Sequence, residues 1–263
     1  MAELPQRRIR VSWSELVSPA MATIVLLHGY PLDATAFAGV VPLVDSDHNV
    51  FVPDLAGFGS QPWPSDGDLS MSAQASHVLA RMDAEGIDSA CVVGLSMGGY
   101  VALAMARRAP NRVRALGLIG SKPDPDTPEA REGRNRQAEL VVSEGASTLV
   151  GPLTAALLAP TATLVVKARL RTMIERTRVE TYVSALAGMR DRDDTSDVIE
   201  SFDGPVAAMV GAFDNLVSVE RNEQIAASAV DGVAITVGGA GHLVPMEDPR
   251  SVATFIADLA RRT

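Results

Sequence analysis

Residues 90–99 read Ala90-Cys91-Val92-Val93-Gly94-Leu95-Ser96-Met97-Gly98-Gly99. The apolar run Ala90–Val93 is continuous rather than alternating, as in a strand covered on both faces. Gly94-Leu95-Ser96-Met97-Gly98 follows as G-x-S-x-G, and an amphipathic, helix-like segment runs over 97–109. A serine on so tight a strand-to-helix turn sits in a strained backbone with little room for neighbouring side chains. Glycines two residues to either side supply that room. The helix start points free N–H groups toward negative charge developing there. A Gly/Ser turn without chemistry carries the same five letters, so the rest of the chain has to supply the serine's partners.

Outward from this stretch, short apolar runs recur at Thr23–Leu27, Asn49–Pro53, Ala115–Gly120, Pro205–Gly211 and Val233–Val237. Amphipathic segments lie between or after them at 70–85, 219–229 and 249–262. Strands alternating with helices predict an α/β fold, a mostly parallel central sheet with helices on both faces. Arg8–Trp13 alternates charged and apolar residues, and an edge strand is expected there. The rhythm breaks from Ser121 to Gly204. That stretch opens on SKPDPDTPEA, a linker ending in a helix start at Thr127-Pro128. Helices are expected over about 128–144, 146–158, 161–176 and 178–190, closed by the polar run Asp191–Asp197. The expected organisation is a core of 1–120 and 205–263 with an inserted helical cap, 121–204, over the functional edge of the sheet.

Composition excludes several classes. The chain has 263 residues, the size of one large domain with an insertion. It is 47% hydrophobic and 21% charged, which favours a packed core over disorder. A net charge of −9 disfavours a nucleic-acid surface or a polybasic membrane patch. Cys91 is the single cysteine, and the four histidines show no metal-ligand spacing, so no disulfide and no metal are expected. Residues 1–13 carry charges where a secretory signal has its apolar centre. The uncharged stretches 89–106 and 145–166 are cut by glycine, proline or serine, so no membrane span is expected and the expected location is cytoplasmic. No dinucleotide-binding or Walker A glycine run follows the first strands.

A serine hydroxyl needs a base, and the base needs an orienting group. His242 lies in the loop Gly238-Gly239-Ala240-Gly241-His242, after the last strand run. His28 ends one strand, while His48 and His77 suit structural roles. Asp214 directly follows the strand run Pro205–Gly211, at the strand end where ligand groups gather in open α/β sheets. Asp203 and Asp231 precede their strands and belong to the opposite end. Ser96, Asp214 and His242 are the expected catalytic set.

Four motifs in order, HGYP at 28–31, DLAGFGS at 54–60, GLSMGG at 94–99 and GAGHLVPMEDP at 239–249, resemble the α/β-hydrolase fold family over essentially the whole length. The resemblance implies Ser96 as nucleophile, His242 as general base and then acid, and Asp214 as the orienter of His242. It implies the backbone N–H groups of Tyr30 and Met97 as the oxyanion hole, a structural His28, and a loop shaped by Asp54, Gly57 and Gly59. No cofactor is implied.

Within that family the chain looks like small serine esterases and enol-lactone hydrolases, acting on a small-molecule ester or lactone of short to medium chain. Relatives with an aspartate nucleophile are disfavoured by Ser96, and two-tyrosine epoxide chemistry by a cap that offers only Tyr182. Carbon–carbon hydrolases of ring-cleavage products commonly carry Trp after the base histidine, where Leu243 stands here, which disfavours that reading and leaves it open. Pro31 is similar to cofactor-free perhydrolases, which stay open, as does a slow-turnover ligand-binding protein of the same fold. Tyr30, Leu157 and Leu243 are the candidate substrate contacts. The cap's Leu149, Leu153, Leu157, Leu158, Val165 and Val166 are expected mostly to pack on the core. Lys167, Arg169, Arg171, Arg176 and Arg178 are expected to form a solvated helix face. The sequence does not separate a monomer from a homodimer.

Overall fold

The computed structural model describes residues 21–44 and 46–263, so the edge strand expected over Arg8–Trp13 lies outside the described residues. The elements are β1 (Thr23–Leu27), α1 (Val41–Val44), β2 (Asn49–Phe51), α2 (Met71–Ala84), β3 (Ala90–Leu95), α3 (Met97–Arg108), β4 (Val113–Ile119), α4 (Pro128–Glu144), α5 (Val150–Leu157), α6 (Leu164–Arg176), α7 (Val179–Arg190), α8 (Ser196–Ser201), β5 (Val206–Gly211), α9 (Val219–Ser228), β6 (Gly232–Val237), α10 (Val244–Glu247) and α11 (Pro249–Ala260).

The apolar runs form one sheet of six strands in the order β2-β1-β3-β4-β5-β6, all pairs parallel. Leu27 pairs with Gly94, Leu95 with Ile119, and Gly211 with Val237, so the strands end nearly level. That level edge carries the loops starting at His28, Ser96, Gly120, Ala212 and Gly238. Strand order reverses between β1 and β3, the place where open α/β sheets put their ligand sites. β3 and β5 are buried at every position, as their continuous apolar sequence requires. β6 differs from them. It lies at the sheet edge and is exposed over most of its length, with Val233 42% accessible.

Between β4 and β5 the chain is helical, with boundaries set by local chemistry. Thr127 caps α4 by accepting the Ala130 N–H, with Pro128 in the first turn, where a missing N–H costs nothing. α6 starts at Leu164 rather than 161 because Thr163 caps it through the Val166 N–H. The helix expected over 146–158 is divided into a 3-10 turn, Ala146–Leu149, and then α5. Pro152 falls in the first turn of α5, the one place such a helix tolerates it. α8 was not anticipated; it buries Val198 and Ile199.

These helices are tied to the sheet by specific contacts. On α7, the Thr181 hydroxyl donates to Gly57 O (2.8 Å) and the Ser184 hydroxyl to Gly67 O (2.7 Å). Arg176 pairs with Asp33, and Arg169 donates to Thr35 O, so α6 is attached to the loop after β1. Those two arginines correct the expectation of a wholly solvated basic face. The cause is Asp33, buried to 2% and therefore in need of a charged partner. Val165 is 69% exposed and also departs from the expected packing, whereas Leu149, Leu153, Leu157 and Leu158 are buried. Where the chain leaves and re-enters the sheet, Arg192 and Arg134 enclose the buried Asp126. Arg192 also donates to Asp124 O (2.7 Å), and Thr195 N donates to Pro123 O (3.0 Å). Among the described residues no helix is long and apolar enough to cross a membrane.

Candidate active site

Ser96 sits between β3 and α3 at φ 52°, ψ −115°, the single non-glycine residue with positive φ among the described residues. Such a conformation costs on the order of 1–3 kcal/mol and persists where its surroundings over-determine it. The surroundings here are close. Ser96 N donates to Ile119 O (2.8 Å), and Ser96 O accepts the Ser121 hydroxyl (2.9 Å). A side chain on Gly94 would strike the Gly98 backbone, and one on Gly98 would strike Leu27 O. The G-x-S-x-G pattern is thus the condition for packing this turn against β1.

The loop after β1 runs alongside. A Cβ on Gly29 would lie 3.2 Å from Ser96 Cβ, which places the Gly29–Tyr30 backbone against the serine. The Met97 N–H is the first of α3 and has no acceptor within its own helix. The Tyr30–Pro31 peptide is cis. The Tyr30 ring meets Tyr182 edge-on and donates its hydroxyl to Gln137 on α4 (3.3 Å).

The structure brings His242 and Asp214 together, with Nδ1 2.7 Å from Oδ2. The other carboxylate oxygen, Oδ1, accepts the N–H groups of Leu216 (2.7 Å) and Val217 (3.0 Å). Burial pushes the Asp214 carboxyl upward. The hydrogen bond and charge of His242, with the two amides, outweigh that and hold it below the usual carboxylate range. When the imidazole is neutral, an ionised Asp214 favours the tautomer with the proton on Nδ1, which makes Nε2 the lone-pair acceptor. Nε2 is buried and has no protein partner among the described residues. Gly120, at φ 53°, lets the chain pass this pair: a Cβ there would lie 2.9 Å from His242 Nδ1 and 3.1 Å from Asp214 Oδ2.

The remaining candidates fall into supporting places. His28 Nε2 accepts the Leu55 N–H (3.0 Å) and its Nδ1 faces Gly29 O (2.9 Å); burial lowers its pKa to about 4, so it is a neutral structural group. Asp54 takes the amides of Ala34 and Ser60 and shapes the loop opposite. Asp231 pairs with Arg262. Tyr30, Leu157 and Leu243 are all buried, and the Leu157 carbonyl holds the N–H groups of His242 (2.9 Å) and Leu243 (3.2 Å). Beside α3 a cavity of about 550 Å³ is lined by Met71, Tyr100, Ser184, Gly188 and Arg192. Sequence reasoning passed over Gly120, Ser121 and Glu247. Glu247 stands beside Asp248 within GAGHLVPMEDP, and nothing in that stretch singles it out.

A parallel sheet of this order with a strained serine on the β3–α3 turn defines the α/β-hydrolase class. The sequence model of the alpha/beta hydrolase fold matches residues 22–249, and the chain belongs to that family. A thermophilic esterase from Thermogutta terrifontis is 32% identical and superposes with a TM-score of 0.87 over 92% of this chain and 91% of its own. A pimeloyl-[acyl-carrier protein] methyl ester esterase from Aromatoleum aromaticum is 28% identical over 90% of this chain and 98% of its length. A 2-hydroxymuconate semialdehyde hydrolase from Pseudomonas sp. (strain CF600) is 38% identical, but the match spans only 37% of this chain and 36% of that relative.

Proposed function

We propose that the chain hydrolyses carboxylic esters or lactones of small to medium size through an acyl-enzyme, with Ser96, His242 and Asp214 as the triad. The observation that carries this reading is the His242–Asp214 pair, whose free Nε2 stands at the same sheet edge as the strained Ser96. Esterases that align with nearly the whole chain support the ester reading over the carbon–carbon one, whose relatives align with about a third of it.

In this mechanism Ser96 Oγ attacks the carbonyl carbon as its proton passes to His242 Nε2. The oxyanion is held by the Tyr30 and Met97 N–H groups, each worth about 3 kcal/mol to the transition state. Asp214 stabilises the imidazolium. The tetrahedral adduct collapses, the leaving alcohol takes the proton from Nε2, and the ester bond to it breaks. Water then gives a proton to Nε2 and attacks the acyl-enzyme, and the acid leaves as Ser96 regains its proton. Every proton returns, so no cofactor is required. Residues 121–204 act as a cap over this site.

The test is release of p-nitrophenol from the acetate, butyrate and octanoate esters by wild type and by Ser96→Ala. Wild-type turnover lost by at least a thousand-fold in Ser96→Ala supports the reading, and the chain-length ratio sizes the acyl pocket. Ester turnover that survives the substitution, or a folded wild type inert on all three, overturns it. In the second case ring-cleavage products are the next substrates to assay.

A further inference from the structure

Glu247 ends α10, five positions beyond His242. Its carboxylate accepts two backbone N–H groups, one from nearby in sequence and one from 88 positions away. Oε1 takes Gly241 N (3.0 Å), immediately before His242. Oε2 takes Ala159 N (2.8 Å), in the connection between α5 and α6. Two residues before Ala159, the Leu157 carbonyl takes the N–H groups of His242 and Leu243. The two stretches are also in direct backbone contact, since a Cβ on Gly241 would lie 2.5 Å from Ala159 N and 2.7 Å from the Leu158 carbonyl carbon. Hence 157–159 and 241–243 are laced together, with one side chain spanning both.

The side-chain chemistry is specific. Two converging N–H donors need an acceptor on each oxygen, which a carboxylate has and an amide lacks. Amides bound to an anionic acceptor in a half-buried place make hydrogen bonds about twice as strong as neutral ones. Burial raises the Glu247 carboxyl above the ordinary glutamate range, and the amides and the charge of His242 act against that. His242 follows Gly241 in the same loop and bonds Asp214 through Nδ1 (2.7 Å), and Lys167 on α6 lines one pocket with Ala159 and Asp214.

We propose that Glu247 is a positioning residue for the base histidine: it clamps the α5–α6 connection to the loop 239–243, so that this part of the helical segment and His242 hold their places as one unit. The kinetic part rests on the reading of His242 as the base; the clamp itself does not.

The experiment uses the full chain and Glu247→Gln, which keeps the shape but turns an NH2 group against one of the two amides. Expected is a kcat loss of roughly ten- to a hundred-fold with KM within two-fold, from loss of a charge-assisted hydrogen bond. Amide hydrogen exchange over 157–160 and 239–243 is expected to rise together while β3 and β5 keep wild-type protection. Exchange is read without substrate, so a failed triad reading and a failed clamp give different results. Exchange that rises in one stretch alone, in neither, or uniformly across the chain overturns the proposal. Should the variant not fold, the wild-type amide signals of Gly241 and Ala159 are followed with pH. Movement through one shared carboxylate midpoint supports the clamp, and two unrelated midpoints overturn it.

Discussion

Asp214 divides its two oxygens between two tasks: Oδ2 meets His242 Nδ1 at 2.7 Å, while Oδ1 is held by the amides of Leu216 and Val217. The amides fix the carboxylate, and the carboxylate then fixes the imidazole. Asp214→Asn removes the charge and leaves the shape. An amide can present its NH2 to Nδ1, which moves the imidazole proton to Nε2 and blunts the base. A kcat loss of about ten-thousand-fold is expected, with near wild-type stability. A loss smaller than ten-fold in steady-state ester kinetics would place the orienting acid elsewhere.

The pH profile follows from the same pair. A base that works as neutral imidazole gives a rate that rises with pH as its acid form is lost, and then levels. Asp214 is held below the usual carboxylate range, so it stays ionised across that rise and adds no second step. kcat/KM measured from pH 5 to 9 should fall on the acid side and level at higher pH. A flat profile would contradict a histidine base supported by an ionised aspartate.

The parts of this site that were legible in sequence are those carried by local pattern. Ser96 announces itself because its strained turn demands glycine at 94 and 98, within five residues. Asp214 and His242 were found from their position after an apolar run, since side chains at strand ends share one edge of a parallel sheet. The contacts that lace the helices to the sheet follow no period. Glu247 meets Ala159 across 88 positions and Arg192 meets Asp126 across 66, so nothing in either neighbourhood names the other. β6 forms as expected, but its exposure was not legible for a related reason. Its apolar run resembles those of β3 and β5, but edge or centre is a property of the sheet rather than of the segment.

Gly120 offers a test of how closely the chain passes the His–Asp pair. Alanine there has to adopt φ 53° and bring a methyl against His242 Nδ1 and Asp214 Oδ2. The backbone alone costs about 1–2 kcal/mol. Gly120→Ala is expected to lower Tm modestly and to lower kcat by more than ten-fold, because the methyl displaces the pair it touches. A thermal melt with parallel ester kinetics separates the two effects. A lower Tm with unchanged kcat would mean that the pair tolerates the intrusion.

Asp126 predicts an acid-sensitive attachment of the helical segment. Its side chain is 3% exposed and lies between Arg134 and Arg192. Burial pushes its carboxyl upward, and the hydrogen bonds and charges of the two arginines outweigh that, holding it below the usual range. A carboxyl with a depressed native pKa contributes stability that is fully present above the unfolded value, about 3.9. That contribution is lost as pH falls through the native value. Asp126→Asn leaves the buried Arg192 without its counter-charge, which costs about 3 kcal/mol, or roughly 6–12 °C of Tm for a chain of this size. The difference in Tm between wild type and variant should be complete at pH 7 and close steadily below pH 4. Arg192 also lies over the Tyr100 ring, 4.1 Å from its centroid, so the variant should disturb that wall of the cavity beside α3 as well. A pH-independent Tm difference, or none at pH 7, would show that the attachment depends on the apolar contacts of α7 rather than on this ion cluster.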